Sequence, residues 1–101
     1  MIDFLKNCNI SNDVIKDVER TYSKANLYSL NNNEYEVYKI IEYFRRIGIK
    51  YIDELLVYQF SVFLHSFADI KKLFNKYGEN DLVKKINDDY LIMDELLEEL
   101  Y

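Results

Sequence analysis

Few side chains in this sequence have the chemistry of a nucleophile or a general base. His65 is the one histidine and Cys8 the one cysteine among 101 residues. A catalytic triad or a cysteine–histidine pair needs that imidazole as its base. His65 has the apolar neighbours Phe63, Leu64 and Phe67 and is far from Cys8 along the chain, which predicts a partly buried structural histidine. One histidine and one cysteine are too few for a zinc site, and we expect no metal and no cofactor.

Acidic residues occur in four adjacent pairs, and paired carboxylates can act in acid–base catalysis or hold magnesium beside a phosphate. Their simpler roles are helix capping and exposure on a helix face. The chain has only two glycines, Gly48 and Gly78, and therefore no glycine-rich phosphate loop. We accordingly expect no enzyme, and catalysis by these carboxylates is a remote alternative. The pairs are Asp53–Glu54, Asp88–Asp89, Asp94–Glu95 and Glu98–Glu99.

The composition predicts one helical domain over residues 1–101. Proline is absent and glycine is rare, and these two residues are the strongest helix breakers. Half of the residues are hydrophobic and 31% are charged, a balance typical of a globular protein. We find no secretory leader and no apolar run approaching the roughly 20 residues of a membrane span. We therefore expect a cytoplasmic protein with no membrane contact.

Apolar spacing predicts helices through the first half of the chain. A short helix over residues 2–7 is followed by one that Ser11 caps and that ends near residues 24–25. Residues 26–33 break the pattern and predict a loop. Asn33 and Glu36 are spaced as in a capping box and open a helix to Ile47. Gly48 then provides the left-handed residue that ends many helices.

The second half predicts helices over residues 51–64, 67–77 and 81–86 and at the C-terminus. An irregularity is expected near residues 59–61, and a strand is the alternative for residues 56–64 because aromatic and β-branched residues are frequent there. Ser66 and Asp69 form a second capping pair, and Gly78 ends that helix. The predicted fold is all-α, a small multi-helix bundle or a short array of helical hairpins with about five to seven helices.

The two glycines also suggest an internal repeat. Phe44-x-x-x-Gly48 recurs as Phe74-x-x-x-Gly78, and periods of this length are typical of stacked helical hairpins. Two unrelated helices that both end in glycine would give the same pattern.

Residues 40–70 contain, in order, a glycine followed by an apolar residue, Gly48-Ile49, and the two apolar pairs Leu55-Leu56 and Phe63-Leu64. This order resembles one unit of the mitochondrial transcription termination factor family, although Gln59 or Phe60 stands where those units have a proline. The resemblance covers about a third of the chain. It implies a curved helical array whose basic concave face binds nucleic acid.

The distribution of charge allows a nucleic-acid-binding face. Net charge is −5 overall, but residues 39–85 carry +3 and residues 86–101 carry −6. Tyr43 and Tyr51 are candidates to stack on bases. Against this reading, a pI near 4.8 is far below that of most nucleic-acid-binding modules. The candidate residues are Arg45, Arg46, Lys50, Lys71, Lys72, Lys76, Lys84 and Lys85.

Protein binding is the first hypothesis. The chain has ten tyrosines, more than a core of this size needs, and tyrosine is enriched in protein interfaces. The acidic amphipathic segment 94–101 could lie in a basic groove of a partner or pack on its own domain. We therefore expect a small acidic adaptor or inhibitor-like module, with a homodimer as an alternative assembly. The candidate contact residues are Tyr35, Tyr38, Tyr43, Tyr51 and Tyr58.

Overall fold

The computed structural model describes residues 1–100, which contain helices and no strand. This confirms the predicted all-α class, with more helical segments than the five to seven expected. Short 3-10 helices lie at Asp3–Cys8, Phe60–Leu64 and Tyr90–Ile92. The α-helices are α1 (Asn12–Thr21), α2 (Lys24–Asn32), α3 (Glu34–Ile47), α4 (Ile52–Tyr58), α5 (Phe67–Tyr77), α6 (Glu79–Asp88) and α7 (Met93–Glu98).

Serine side chains start three of the helices. The hydroxyls of Ser11, Ser23 and Ser66 each accept a hydrogen bond from the backbone amide three residues further on, at 3.1–3.3 Å. These bonds satisfy amides that have no partner inside the helix. The predicted caps at Ser11 and Ser66 are confirmed, whereas the cap at Ser23 belongs to a helix that the sequence did not predict.

The prediction of a loop over residues 26–33 is wrong, because α2 occupies most of this segment. Asparagine and serine have poor helix propensity, since their side chains compete for the backbone. Leu27 and Leu30 lie one helical turn apart and are both buried. Their burial, together with the cap at Ser23, outweighs the weak local preference.

The predicted capping box at Asn33 and Glu36 is also wrong. The side-chain amide nitrogen of Asn33 donates to the backbone carbonyls of Phe63 at 2.8 Å and His65 at 3.2 Å. The Glu36 carboxylate accepts from the backbone amide of Phe67 at 3.0 Å. Both side chains therefore hold the beginning of α3 against residues 63–67 instead of capping their own helix.

The irregularity expected near residues 59–61 is confirmed, and the strand alternative for residues 56–64 is wrong. Helix α4 ends at Tyr58, and the chain resumes as the 3-10 helix Phe60–Leu64. Gln59 lies at the break with a backbone conformation outside the helical region. The apolar residues of this segment are buried by consecutive short helices.

The two glycines end their helices differently. Gly48 has φ +95° and ψ 23°, and the next amide, Ile49, donates to the Phe44 carbonyl at 2.9 Å. This is the predicted left-handed helix end. Gly78 has φ +88° and ψ 124° and joins α5 directly to α6. The two Phe-x-x-x-Gly segments therefore have different turn geometry, and a structural repeat stays a prediction.

Buried side chains from all parts of the described chain form one hydrophobic cluster. In α7, Met93 and Leu97 are fully buried, so the described part of the acidic C-terminal segment packs on its own domain. Packing on its own domain is thus the alternative that the structure supports for this segment, and insertion into a partner's groove stays a prediction. Tyr101 lies outside the described residues.

Candidate functional site

A surface groove of about 500 Å³ lies where the first 3-10 helix meets the joint between α2 and α3. We call it the tyrosine groove. Its volume falls within the range of ligand-binding sites. The lining residues are Phe4, Asn7, Cys8, Asn31, Asn32, Glu34, Tyr35 and Tyr38.

Three local features shape this groove. Tyr35 and Tyr38 are three residues apart on α3, which places them on one side of the helix. The Asn33 bonds to residues 63 and 65 fix the joint from which α3 starts. Arg45 donates to the carbonyl of Asn9 at 3.4 Å, which ties the end of the first 3-10 helix to α3. One side-chain bond therefore links the first 3-10 helix to α3, and two others anchor the joint between α2 and α3 to residues 63 and 65.

The groove tyrosines are strongly exposed. Tyr35 is 74% exposed and Tyr38 is 48% exposed. The ammonium of Lys39 lies 4.5 Å from the centroid of the Tyr35 ring and 2.6 Å from a Glu36 carboxylate oxygen. The charge of Lys39 is therefore neutralised by Glu36. Its contact with Tyr35 is a cation–π contact, which shows that this ring can accept a cation.

Cys8 is a buried residue in the wall of the groove, and its surroundings disfavour the reactive thiolate. Burial is the largest cause that raises the pKa of its thiol, and Glu42 and Glu34 raise it further while Arg45 lowers it. The thiolate is the nucleophilic form of cysteine. A raised pKa therefore disfavours nucleophilic chemistry at this position.

A second groove of about 260 Å³ lies between α1 and α4, and we call it the acidic groove. Its apolar part comes from Val14, Val57 and Tyr58, and Tyr58 is 63% exposed. Every charged residue that lines it is an acid. These are Asp17, Asp53 and Glu54, and Asp17 also pairs with Arg20.

Four of the five candidate tyrosines are exposed, and Tyr43 is not. Tyr51 packs its ring against Tyr90 with centroids 5.8 Å apart. Tyr43 is only 2% exposed and forms edge contacts with the rings of Phe67 and Phe74 at 5.5 Å. The prediction that Tyr43 contacts a protein or stacks on a base is therefore wrong. It lies on the buried side of α3 because its ring completes an aromatic cluster.

The Tyr43 hydroxyl joins α3 to α6. It donates to a Glu79 carboxylate oxygen at 2.6 Å. Burial raises the pKa of this phenol, and the bond and charge of Glu79 raise it further, while Arg46 lowers it. The Tyr77 hydroxyl similarly donates to Glu99, and this bond is the main cause that raises the pKa of Tyr77.

Four of the eight candidate bases surround these two tyrosines. The cationic groups of Arg46 and Lys71 lie 5.5 and 4.7 Å from the Tyr43 ring centroid. Those of Lys76 and Lys85 each lie 5.5 Å from the Tyr77 ring centroid. Because Glu79 and Glu99 are interleaved with them, the cluster is only mildly basic. Lys50, Lys72 and Lys84 are exposed, as is Arg45.

The candidate chemical groups are dispersed. The Nδ1 atom of His65 lies 3.7 Å from an Asp69 carboxylate oxygen, and His65 is partly buried as predicted. Asp89 accepts a hydrogen bond from the Leu91 amide at 3.2 Å, whereas Asp53 and Glu54 line the acidic groove. Across residues 1–100, no three His, Cys, Asp or Glu side chains are grouped closely enough to hold a metal ion.

Sequence reasoning found Tyr35 and Tyr38 but missed the polar wall of their groove. Asn7, Asn31 and Asn32 come from two segments, and no spacing along the chain indicates that these segments meet. The loop predicted over residues 26–33 concealed the helix that positions two of them. Excess polar residues at the joint of two helices are the only local signal.

Comparisons with protein-family models, curated proteins and solved structures found no match to this chain. None of the helices within residues 1–100 has the length and apolar character needed to cross a membrane.

Proposed function

We propose that this protein is a non-catalytic interaction module that binds a protein partner through the tyrosine groove. The observation that carries the proposal is the exposure of Tyr35 and Tyr38 on a groove large enough to receive side chains. Tyrosine offers a large apolar ring at low conformational cost and a hydroxyl for hydrogen bonding, and it is enriched among interface residues that dominate affinity.

The polar wall of the groove suits a peptide chain. The side-chain amides of Asn7, Asn31 and Asn32 offer both donors and acceptors, and a peptide backbone presents both kinds of group along its length. The groove therefore combines an aromatic anchor site with polar groups that fix orientation, the composition expected of a recognition site.

The proposal can be tested by selecting peptides from a random library displayed on phage against the wild-type protein. Enriched peptides are then titrated against Tyr35→Ala and Tyr38→Ala. We expect at least about tenfold weaker binding to each variant, as for interface residues that dominate affinity. Tyr28→Ala is the matched control, because Tyr28 is 55% exposed but does not line the groove.

Two outcomes would contradict protein binding at this groove. One is that selection enriches no peptide, and the other is that enriched peptides bind Tyr35→Ala and Tyr38→Ala as tightly as Tyr28→Ala. Sedimentation of the same variants measures self-association. Loss of a wild-type dimer in Tyr35→Ala would identify the partner as a second copy of this chain.

Nucleic-acid binding is the second candidate function. It is favoured by two pairs of cations, Arg46 with Lys71 at the Tyr43 ring and Lys76 with Lys85 at the Tyr77 ring. The resemblance to the transcription termination factor repeat also favours it. The interleaved carboxylates and the burial of Tyr43 weigh against it. Base stacking at this cluster would need an exposed ring.

This alternative is tested by titrating labelled single- and double-stranded DNA and RNA at several salt concentrations. If the basic cluster binds phosphates, Lys71→Gln/Lys76→Gln should weaken binding and lower the salt slope by about 0.9 per lost phosphate contact on duplex DNA. Lys16→Gln/Lys24→Gln removes the same charge from exposed positions on α1 and α2. Equal effects of the two variants would exclude a specific basic face.

A further inference from the structure

We infer that the segment bound in the tyrosine groove is basic and places a lysine or arginine side chain between the exposed tyrosines and Glu34. This inference rests on the proposed function. It goes further because it commits to the charge of the partner, and it distinguishes a basic peptide from a neutral or acidic one that would use the same tyrosines.

The charges of the groove give the first argument. Glu34 is the one charged residue that lines it, and Glu34 is exposed at the first position of α3. Two cations lie near it: Lys39 is paired with Glu36 at 2.6 Å, and Arg45, which donates to the Asn9 carbonyl, acts on Cys8 together with the acids Glu42 and Glu34. An incoming cation therefore meets a carboxylate whose charge no lining residue offsets, whereas an incoming carboxylate would meet a like charge.

The aromatic surface gives the second argument. Lysine and arginine side chains pack along aromatic faces and are attracted by the ring electrons. Tyr35 already accepts the Lys39 ammonium at 4.5 Å from its centroid, and 74% of the residue remains exposed. A side chain laid over Tyr35 or Tyr38 can extend its charged end to Glu34, which adjoins Tyr35 in the sequence.

The second groove of the described surface has the same bias. The acidic groove combines exposed Tyr58 with Asp17, Asp53 and Glu54, and no cation lines it. None of the eight candidate bases of the chain lines either groove. The net charge of −5 would add a long-range attraction toward a basic partner, which ionic strength screens.

The test starts from library peptides whose binding is lost in Tyr35→Ala and Tyr38→Ala. We expect these peptides to carry lysine or arginine in excess of acids. Replacing one such residue by glutamine should weaken binding about three- to thirtyfold, the range for one cation–aromatic contact. Affinity should fall as sodium chloride rises from about 50 to about 500 mM.

Glu34→Gln locates the charge on the protein. It should lower the affinity for basic peptides severalfold and leave the affinity for their glutamine-substituted forms almost unchanged. Glu95→Gln is the matched control, since it removes the same charge from an exposed position on α7. If Glu95→Gln weakens binding as much as Glu34→Gln, attraction by net charge alone explains the result and the inference fails.

The two proposals fail in different ways. Enriched peptides that are neutral or acidic, yet depend on Tyr35 and Tyr38, would overturn the basic partner and leave protein binding at the groove intact. Peptides that ignore both tyrosines would overturn the proposed function, and the inference with it.

Discussion

The side-chain oxygen of Gln59 accepts a hydrogen bond from the backbone amide of Asp94, at 3.0 Å. Gln59 is 7% exposed and is the buried polar residue of the described core. Asp94 lies in the first turn of α7, a helix that has no side-chain cap from its own N-cap residue. Gln59, which lies at the break after α4, therefore supplies the hydrogen-bond acceptor for a backbone amide in the first turn of α7.

Gln59→Leu should lower the free energy of unfolding by about 1–3 kcal/mol, because it leaves the Asp94 amide without its partner in a partly buried position. Urea denaturation measures the loss, and hydrogen exchange should show faster exchange of α7 amides. Ser61→Ala, at an exposed neighbouring position, should change stability by less than about 0.5 kcal/mol. An unchanged midpoint in Gln59→Leu would mean that the bond does not stabilise α7.

Features decided within one helical turn were predictable from the sequence. The caps at Ser11 and Ser66 each need only a hydroxyl and an amide three residues away. The left-handed end at Gly48 needs only the absence of a side chain. The all-α class follows from the absence of proline and from apolar spacing, which the chain carries throughout.

Features decided by contacts between distant segments were not predictable. Asn33 and Glu36 have the spacing of a capping box, but the backbone groups of Phe63, His65 and Phe67 are available to them in the fold. Tyr43 resembles Tyr35 and Tyr38 as a tyrosine on α3, and only the position of the helix decides which rings face the core. The tyrosine groove depends on such contacts and could be predicted only in part.

The two glycines should respond differently to substitution by alanine. An added Cβ at Gly48 would meet no atom within 4 Å. Gly48→Ala should therefore lower the free energy of unfolding by about 1 kcal/mol, through the strain of the left-handed backbone alone. Gly78 has ψ 124°, outside the left-handed helical region, and Gly78→Ala should cost about 2–3 kcal/mol.

Urea denaturation compares the two alanine variants. Gly48→Asn is the control, since asparagine tolerates the left-handed region, and it should lose less stability than Gly48→Ala. Equal losses in the two alanine variants would contradict the difference in turn geometry.

Glu36 should make stability depend on pH in the acidic range. Its hydrogen bond and charge interaction with Lys39 and its bond from the Phe67 amide hold its pKa below the ordinary carboxyl value. A lowered folded-state pKa gives stability that is present above the ordinary pKa and is lost as pH falls through the folded value. Wild type should therefore exceed Glu36→Gln in stability at neutral pH, and the difference should shrink below about pH 4.

Thermal or urea unfolding over a pH series measures this difference. Lys39→Gln should produce a similar loss at neutral pH, and the double variant should lose less than the sum of the two single variants, because they share one interaction. A difference between wild type and Glu36→Gln that stays constant from neutral to acidic pH would rule out this linkage.

Tyr43→Phe should separate the hydroxyl bond of this residue from the packing of its ring. The phenylalanine ring can keep the edge contacts with Phe67 and Phe74, so the expected loss is about 1–2 kcal/mol for the bond to the Glu79 carboxylate. Tyr43→Ala would also leave a cavity in the aromatic cluster and should lower the free energy of unfolding by about 3–5 kcal/mol.

Because the folded-state pKa of Tyr43 is raised, the contribution of its hydroxyl to stability is present below about pH 10 and is lost at higher pH. Wild type should therefore lose stability more steeply than Tyr43→Phe in alkaline urea titrations, and parallel curves would show that folding does not raise the pKa of Tyr43.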